Sequence, residues 1–344
     1  MADGRPTIYD VATRAGVSKS LVSLVLQGSP RVGDVSRRAV EEAIAELGYR
    51  PSRAAADLAA RRTHTVGVLI DDYTNLWFVD LVRGLHAALG PAGYRLAVVD
   101  VATADQAEDP VESMLAMRVD GLVLGMDPPR SLLARDGAAL PPVVVAGTRA
   151  VRDARFDAVA NDDAEGARLV ARHLVGLGHR VVGQVCAGGG AGDVRREAFS
   201  AEVSRLGATA VDASWRGEAS DEAGFRAATE LFAADPGITA VFAANDVMAV
   251  GVLGAAREHG MDVPRDLSVV GYDDHEPVIQ QLTPQLTTVR LPLYDMGRLA
   301  AEALVHGAVG ALPRDQRQVR PIGGHVREAV QEAVARSEHD GGTQ

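Results

Sequence analysis

Apolar positions recur with a helical period over the first fifty residues of the chain. Two short segments, 8–15 and 18–26, carry apolar residues three or four positions apart, which predicts two amphipathic helices. Gly16 ends the first helix, and Thr7 and Ser18 are placed to cap the two helix starts. Two helices joined by so short a turn are typical of a helix-turn-helix, although an ordinary helical hairpin shows the same pattern.

The second of these helices has an apolar and a polar face. Val22, Val25 and Leu26 are predicted to face the core of the domain. The opposite face would meet base edges in a DNA groove, with a lysine at its N-terminal end. The side chains of that face are Lys19, Ser20, Ser23, Leu24 and Gln27.

A third helix and a marginal fourth helix follow. The third is predicted between Ser36, as its N-cap, and Gly48, as its stop, and it completes a minimal three-helix core. Residues 52–60 then form an alanine-rich run of high helix propensity. Because an isolated helix below about 12 residues rarely forms, we expect this one to fold only when a partner holds it.

From Thr65 onward, short and continuous apolar runs alternate with helical stretches. Examples are VGVLI and PPVVVAG in the first half, and RVVGQVC and LSVVGYDD in the second. Such runs predict parallel strands in sheets that are covered on both faces by helices, the first of them from about Trp77 to Leu89. The expected fold class is α/β: a three-helix head followed by a body of two doubly wound parallel sheets.

Charge and cysteine content sharpen this division. The chain has 344 residues and a formal net charge of −11, but residues 1–62 hold ten basic and seven acidic residues, so the remainder carries −14. A modestly basic head on an acidic body is expected of a protein whose head binds nucleic acid. The single cysteine, Cys186, allows no internal disulfide, and there is no apolar N-terminal segment or long apolar run. We therefore expect a cytoplasmic protein without a membrane span.

The combined motifs resemble the lactose-repressor (LacI/GalR) family of bacterial transcription regulators. The pattern T-x-x-D-V-A-x-x-A-G-V-S begins at Thr7, and the pattern G-Y-x-P-x-x-x-A-x-x-L begins at Gly48. The resemblance covers nearly the whole chain. It implies a helix-turn-helix DNA-binding domain at 1–50, a hinge helix and linker at 51–62, a body at 63–329 and a polar tail at 330–344.

The resemblance implies a two-lobed body of the type I periplasmic-binding-protein kind, which binds an effector and dimerises. Lobe 1 is expected at about 63–160 and 291–319, and lobe 2 at about 161–290 and 320–329. The chain would cross between the lobes near Ala160, Arg290 and Arg320. The implied protein is a homodimeric repressor that binds a pseudo-palindromic operator in double-stranded DNA.

The same resemblance assigns residues to the DNA interface. Lys19, Ser20 and Leu24 take base-reading positions, and Leu58 takes the position of a wedge in the minor groove. Lys19 is the only lysine of the chain and is also compatible with a merely solvated side chain, whereas Leu24 is also compatible with packing inside the domain. The expected DNA-binding residues are Thr7, Tyr9, Ser18, Lys19, Ser20, Ser23, Leu24, Arg53, Ala55 and Leu58.

In doubly wound sheets ligands bind at the carboxyl ends of strands, so residues directly after the apolar runs are the candidates for a ligand site. By motif match, Arg195, Asn245 and Asp273 correspond to effector-binding positions of the family. With aromatic residues nearby, they suit a polyhydroxylated ligand such as a sugar or glycoside. The expected effector-binding residues are Tyr73, Trp77, Phe78, Arg195, Asn245 and Asp273.

Four of these residues also have a purely structural interpretation, and such an interpretation is weakest for Arg195. Asn245 and Asp273 are equally placed to cap the helices that follow them, and Trp77 and Phe78 are typical core residues at a helix start. Three further positions depart from sugar-responsive relatives, which often carry an acid, an aromatic residue and a glutamine there. These positions are Gly147, Ala219 and Leu291, and they predict a roomier and less polar pocket.

Parts of the sequence also fit two other classes of function. The loop AGGGAGD at 187–193 favours a nucleotide-binding enzyme, but it matches neither the dinucleotide nor the P-loop pattern. No catalytic triad or metal-ligand spacing is recognisable, so we expect no enzyme activity, no metal and no cofactor. The body alone also fits a solute-binding protein for transport, and the helical head argues against that interpretation.

Overall fold

The computed structural model divides by its internal contacts into two units, Met1–His64 and Thr65–Gln344. The first is a small helical head, and the second is an α/β body. The hinge helix predicted at 52–60 and the tail predicted at 330–344 lie outside the described residues. The structure describes residues 6–26, 28–49, 62–71, 73–101, 103, 109–137, 140–147, 155–215, 217–279, 281–283, 285–309, 319–322 and 325–327.

The head contains three helices, α1 (Ile8–Ala15), α2 (Lys19–Leu26) and α3 (Asp34–Leu47). A capping box opens α1: the Thr7 hydroxyl accepts a bond from the Asp10 amide at 3.4 Å, and the Asp10 carboxylate accepts one from the Thr7 amide at 2.8 Å. The Ser18 hydroxyl accepts a bond from the Leu21 amide at 3.2 Å, so it caps α2 as predicted. Gly16 has the left-handed backbone (φ 65°) that ends α1 and turns the chain into α2.

The buried core of the head follows the predicted pattern except at Leu26, and one predicted helix cap is wrong. Val11, Val22 and Val40 are fully buried between the three helices. Leu26 was expected to join them but is 37% exposed, because it is the last residue of α2 and lies at the edge of the buried face, where Leu21 packs instead. The prediction of Ser36 as an N-cap is also wrong: α3 begins three residues earlier than predicted, at Asp34, after the extended backbone of Gly33.

The body contains twelve described strands and nine described α-helices. The strands are β1 (Thr65–Ile70), β2 (Arg95–Asp100), β3 (Gly121–Leu124), β4 (Val143–Ala146), β5 (Asp157–Asn161), β6 (Val181–Val185), β7 (Thr209–Asp212), β8 (Ala240–Ala243), β9 (Ser268–Asp273), β10 (Thr287–Arg290), β11 (Val319–Ile322) and β12 (His325–Arg327). The helices are α4 (Trp77–Leu89), α5 (Pro110–Ala116), α6 (Arg130–Leu133), α7 (Asp163–Gly176), α8 (Gly190–Arg205), α9 (Asp221–Ala234), α10 (Asp246–Glu258), α11 (Glu276–Ile279) and α12 (Leu293–Val309). The predicted bounds of α4 are confirmed.

The strands form two six-stranded sheets, one in each lobe. The order of the first sheet is β11-β5-β4-β3-β1-β2, and every neighbouring pair is parallel. The order of the second is β12-β10-β9-β8-β6-β7, and only the edge strand β12 runs antiparallel. Buried apolar strands such as β1 and β3 are covered on both faces, so the prediction of a doubly wound α/β body is confirmed.

The chain passes three times between the lobes. It leaves the first sheet after Asn161, returns after Arg290 into α12, which packs on α4, and leaves again after β11. The third passage lies between Ile322 and His325, slightly later than the predicted crossing near Arg320. The reason is that β11 pairs with β5 along its whole length, up to Ile322 opposite Asn161.

Helices α4 and α12 meet at the level of their backbones, and we expect Gly84→Ala to destabilise the body. A Cβ on Gly84 would lie 2.0 Å from the backbone oxygen of Tyr294, and one on Gly297 would lie 2.1 Å from that of Leu81. Backbone cannot move aside as a side chain can, so we expect the free energy of unfolding to fall by about 2 kcal/mol despite the better helix propensity of alanine.

Urea unfolding of the body measures this effect. Gly90→Ala is the matched control, because its backbone is also helical and its added Cβ would meet only the His86 ring at 3.7 Å. The control is expected to gain about 0.4–1 kcal/mol. Equal stability of the two variants would contradict the close helix contact.

Candidate functional site

A cleft of about 400 Å³ opens where strands of both sheets end. From the first lobe it is lined by residues that follow β1, β3 and β4 and by the last residue of β5, and from the second by Asp163, by residues that follow β6, β7 and β8, and by the last residue of β9. These are the carboxyl ends of parallel strands, where loops can place polar groups without competing with the sheet for hydrogen bonds. The cleft is therefore the candidate ligand site of the body.

Five of the six predicted effector residues line this cleft. Trp77 and Phe78 begin α4 with their rings edge to face at 5.1 Å, and both line the cleft while they are buried in the core. Asn245 lines the cleft while its side-chain oxygen caps α10, accepting a bond from the Met248 amide at 2.7 Å. The other two are Arg195 and Asp273.

The structure does not bring Tyr73 into the cleft. Its hydroxyl donates a bond to the backbone oxygen of Val98 at 3.0 Å, and its own amide donates to the Asp100 carboxylate at 3.0 Å. Both partners lie on or at the end of β2, so Tyr73 covers that strand with a ring that is 56% exposed. Tyr73 is therefore absent from the described lining of the cleft, and its contact with an effector remains a prediction.

Arg195 is the centre of the cleft floor. It is 7% exposed, its Nε donates to the Asp163 carboxylate at 2.8 Å, and one terminal nitrogen donates to the Ala244 oxygen at 2.5 Å. Its guanidinium lies 3.8 Å from the centre of the Tyr272 ring. Burial alone would lower the pKa of Arg195, but the charges of Asp163 and Asp273 raise it above its usual value, so the group stays charged. The floor thus holds a fixed, planar cation.

Asp273 ends β9 in a strained backbone. Its φ is 105° and that of Asp274 is 61°, a left-handed region that non-glycine residues seldom adopt. The strain turns the Asp273 carboxylate toward Arg195, whose terminal nitrogen lies 3.6 Å away, and toward the His275 ring at 3.4 Å. The Asp273 carboxylate therefore lies between two basic side chains of the floor.

Sequence reasoning missed three residues that build this floor. Asp163 follows β5 and pairs with Arg195, Tyr272 supports the guanidinium from inside β9, and His275 contacts Asp273. The signal for Asp163 was available, because it stands just after a strand end like the residues that were singled out. The sequence does not indicate the role of Tyr272, because this residue looks like one more apolar residue of a buried strand. The predicted departures Gly147 and Ala219 do line the cleft, whereas Leu291 is absent from the described lining and is buried in the core.

Asp246 connects the floor to the second sheet. It is fully buried and accepts bonds from the His275 amide at 2.7 Å and from the Thr288 hydroxyl at 2.6 Å. Burial and the nearby charge of Asp273 raise the pKa of Asp246 to about 7. Burial alone would lower the pKa of His275, but its hydrogen bond to Asp273 raises it.

This cluster predicts a body that loses stability as the pH rises. An acid with a raised pKa in the folded state contributes stability at low pH that is lost between its unfolded value of 3.8 and its folded value of about 7. His275, also raised, acts in the same direction above 6.5. In urea unfolding, the stability of wild type relative to Asp246→Asn should therefore fall from pH 4 to 7, by at most about 1.4 kcal/mol per pH unit. Glu222→Gln, at an exposed residue, is the control, and parallel curves for wild type and Asp246→Asn would contradict the prediction.

The head presents the predicted DNA-reading face to solvent. Lys19, Ser20 and Leu24 are exposed, and Leu24, at 39%, is not packed inside the domain. The Lys19 ammonium donates to the Tyr9 hydroxyl at 3.2 Å and lies 4.8 Å from the centre of its ring, so the lysine is tethered rather than simply solvated. Arg53, Ala55 and Leu58 lie outside the described residues.

Thr7, Ser18 and Ser23 have different surroundings from these three residues. Thr7 and Ser18 are exposed, but their hydroxyls already cap helices α1 and α2. Ser23 is half-buried on α2. Their contact with DNA remains a prediction.

No helix in the described part of the chain is long and apolar enough to cross a membrane. Among the same residues there is no group of three or more His, Cys, Asp or Glu side chains that could hold a metal ion. Cys186 is buried.

A helix-turn-helix head joined to a two-lobed body with a ligand cleft defines a ligand-responsive, DNA-binding transcription regulator. Residues 7–52 match the family of bacterial regulatory proteins called the lacI family, and residues 171–330 match the periplasmic binding protein-like domain. The ribose operon repressor of Escherichia coli (strain K12) is 33% identical over 92% of this chain and 97% of its own length. The chain belongs to the lacI family of bacterial regulatory proteins, as the sequence predicted.

Solved structures agree with this assignment. A transcriptional regulator CelR–cellobiose complex is 28% identical, with a TM-score of 0.68, over 94% of this chain and 99% of the other. The lac repressor dimer bound to operator and an anti-inducer is 26% identical, with a TM-score of 0.79, over 95% of this chain and 98% of the other. The relatives are transcription regulators rather than enzymes or transport proteins, which favours regulation among the three classes considered.

Proposed function

We propose that this protein is a repressor that binds a pseudo-palindromic operator as a homodimer and responds to a carbohydrate bound in the cleft of its body. The observation that carries the proposal is the cleft floor, where Arg195, Asp163 and Asp273 form one buried ionic group in a cleft that Trp77 and Phe78 also line. Carboxylates and guanidinium groups bind vicinal hydroxyls in pairs, and aromatic rings cover the apolar faces of sugars.

The size and lining of the cleft favour more than a small monosaccharide. Gly147 and Ala219 contribute no side chain that would narrow it, and its volume of about 400 Å³ suits a ligand of one to two sugar rings. The related regulator CelR was solved with cellobiose, and the related repressor from Escherichia coli is named for the ribose operon. A sugar or glycoside is therefore the effector class that we propose.

DNA recognition is proposed to depend on one exposed face of α2. Lys19 can donate to guanine acceptors or to phosphate, and the exposed side chain of Leu24 fits the methyl group of thymine. The related lac repressor was solved as a dimer on its operator, and we propose the same arrangement, with one head on each half-site. A regulator acting on genomic DNA in this way would work in the cytoplasm, without a catalytic step.

The coupling between ligand and DNA is proposed to act through residues 51–62. Ligand binding would change the angle between the two lobes, and with it the separation of the two hinge segments in the dimer. Because so short a helix folds only with a partner, a change in separation would decide whether the pair orders in the minor groove. Amide hydrogen exchange of residues 51–62 tests this step: equal protection in free and DNA-bound dimers would rule it out.

The whole function is tested by selecting DNA sites from a random pool with the full-length protein and then measuring gel shifts at fixed salt. We expect a two-fold symmetric site whose occupancy changes when a cleft ligand is added. Failure to bind any palindromic site, with and without a sugar panel, would overturn the repressor proposal. A site that lacks two-fold symmetry would overturn the homodimer.

A further inference from the structure

The only lysine of the chain begins the helix that carries the proposed DNA-reading face. Lys19 is the first residue of α2, and its exposed side chain contacts Tyr9, the second residue of α1. The Lys19 ammonium donates to the Tyr9 hydroxyl at 3.2 Å and lies 4.8 Å from the centre of the ring. One aromatic side chain thus holds the ammonium through both its ring and its hydroxyl.

Among the residues of the head that the structure describes, no carboxylate pairs with Lys19. The neighbouring carboxylate of Asp10 accepts bonds from the amide and the hydroxyl of Thr7, at 2.8 and 2.7 Å, and Glu46 pairs with Arg14. Helix α2 has no acidic residue in its first turn, and the positive end of its dipole repels a cation placed there. The electron-rich face of the tyrosine ring supplies the attraction that the helix end lacks.

The contact between Tyr9 and Lys19 lies on the surface of the head. Tyr9 is 62% exposed and does not belong to the buried core around Val11, Val22 and Val40. Its ring therefore contributes little to holding the three helices together. What the contact does is to restrict a long side chain that would otherwise sample many rotamers.

A restricted ammonium and a free one differ in what they recognise on DNA. A freely moving lysine acts as a point charge that finds phosphate oxygens in any sequence, which adds affinity without specificity. A lysine that is ordered before binding loses less conformational entropy when it donates to the O6 and N7 acceptors of one guanine. The N-terminal end of a recognition helix, where Lys19 lies, is the part that meets base edges.

We propose that Tyr9 is a positioning residue for base recognition, which holds the Lys19 ammonium ready to donate to a guanine in each half-site of the operator. This inference rests on the proposed function, since it concerns the same DNA-reading face, and it assigns the Lys19 contact to a base rather than to phosphate. A direct contact between Tyr9 and phosphate would raise the affinity for all sequences alike. Discrimination between bases, and not affinity, is therefore the property that reports the positioning role.

The contact itself is measurable by NMR without DNA. Full-length protein produced with carbon-13 lysine has a single labelled side chain, because Lys19 is the only lysine. Its ε protons should resonate upfield of those of a free lysine, because the ammonium lies over the Tyr9 ring. Tyr9→Leu should return them to the free value, and Tyr9→Phe, which keeps the ring, should keep most of the upfield shift. Free-lysine shifts in wild type would overturn the inference.

A double-mutant cycle on DNA tests the positioning role. Sites selected with wild type and with Lys19→Met identify the guanine whose preference depends on Lys19. Replacing that guanine in both half-sites should weaken operator binding by wild type about hundredfold, and Tyr9→Leu should reduce this factor about tenfold, which is about threefold for each half-site. In the Lys19→Met background, Tyr9→Leu should leave the factor unchanged, because Tyr9 acts through Lys19.

Three results of this cycle would overturn the inference. They are the absence of a guanine preference that depends on Lys19, an unchanged or larger factor in Tyr9→Leu, and a fall of the same size when residue 19 is already methionine. A merely destabilised head would weaken binding to intact and altered sites alike, so it would leave the factor unchanged. Failure of wild type to bind any palindromic site would overturn the repressor proposal as well, whereas a symmetric operator with equal discrimination by wild type and Tyr9→Leu would overturn this inference alone.

Discussion

Arg195→Ala is expected to abolish the response of the protein to every cleft ligand while operator binding by the head persists. Arg195 is the only lysine or arginine among the described lining residues, and it contacts Asp163, Asp273 and the Tyr272 ring at once. Removing it takes away the planar donor and leaves two like charges facing each other. Thermal shift and calorimetry with the sugars that bind wild type measure the loss, and gel shifts measure what remains of DNA binding.

The same substitution should destabilise the body, because it breaks a buried ion pair. Leaving buried carboxylates unpaired typically costs about 3–5 kcal/mol, a large part of the stability of a domain. Arg195→Lys is the companion variant that keeps the charge and the fold but loses the planar fork and the stacking on Tyr272, and it should weaken ligand binding at least tenfold. Arg172→Ala is the surface control, since that arginine is 40% exposed, and it should change stability by no more than about 1 kcal/mol. An undiminished ligand response in Arg195→Ala would remove this residue from the site.

The sequence was sufficient for the fold because its local signals agree with one another. Continuous apolar runs such as TVGVLI became buried parallel strands, and the helix predicted from Trp77 to Leu89 has those bounds. The failures occur where a choice depends on neighbours. Ser36 lies inside the first turn of α3, which begins at Asp34 after an extended Gly33, and Leu26 lies where its helix ends.

The candidate site was predictable only in part, for a physical reason. Residues directly after strands were identifiable because parallel strand ends meet at one edge of each sheet. Tyr73 occupies such a position, but its hydroxyl donates a hydrogen bond to the backbone oxygen of Val98 on β2. Tyr272 is defined by its contact with Arg195 and His275 by its bond to Asp246, and contacts between residues so far apart in the chain are not encoded in local spacing. Asp163, by contrast, was identifiable in the same way as the predicted residues, because it stands just after the end of β5.

The second large effect is expected in the head, where Val22→Asp should abolish operator binding and leave ligand binding unchanged. Val22 is fully buried in the small core that also contains Val11, Val40 and Ala43. Burying an unpaired carboxylate there costs several kcal/mol, which is comparable to the whole free energy of unfolding of a domain of this size. The body forms a separate contact unit, so its unfolding and its ligand affinity should match those of wild type.

Leu24→Ala is the matched control for Val22→Asp, because it lies on the same helix but is 39% exposed. Alanine keeps the propensity of α2, so the head should stay folded, and operator affinity should fall by no more than about tenfold through the loss of one apolar base contact. Circular dichroism and amide NMR spectra of the full-length variants report the state of the head, and gel shifts report DNA binding. A Val22→Asp protein that keeps wild-type operator affinity would show that DNA binding does not depend on the folded head. An equal loss of operator affinity in both variants would contradict the separation of a buried face from a DNA-reading face on α2.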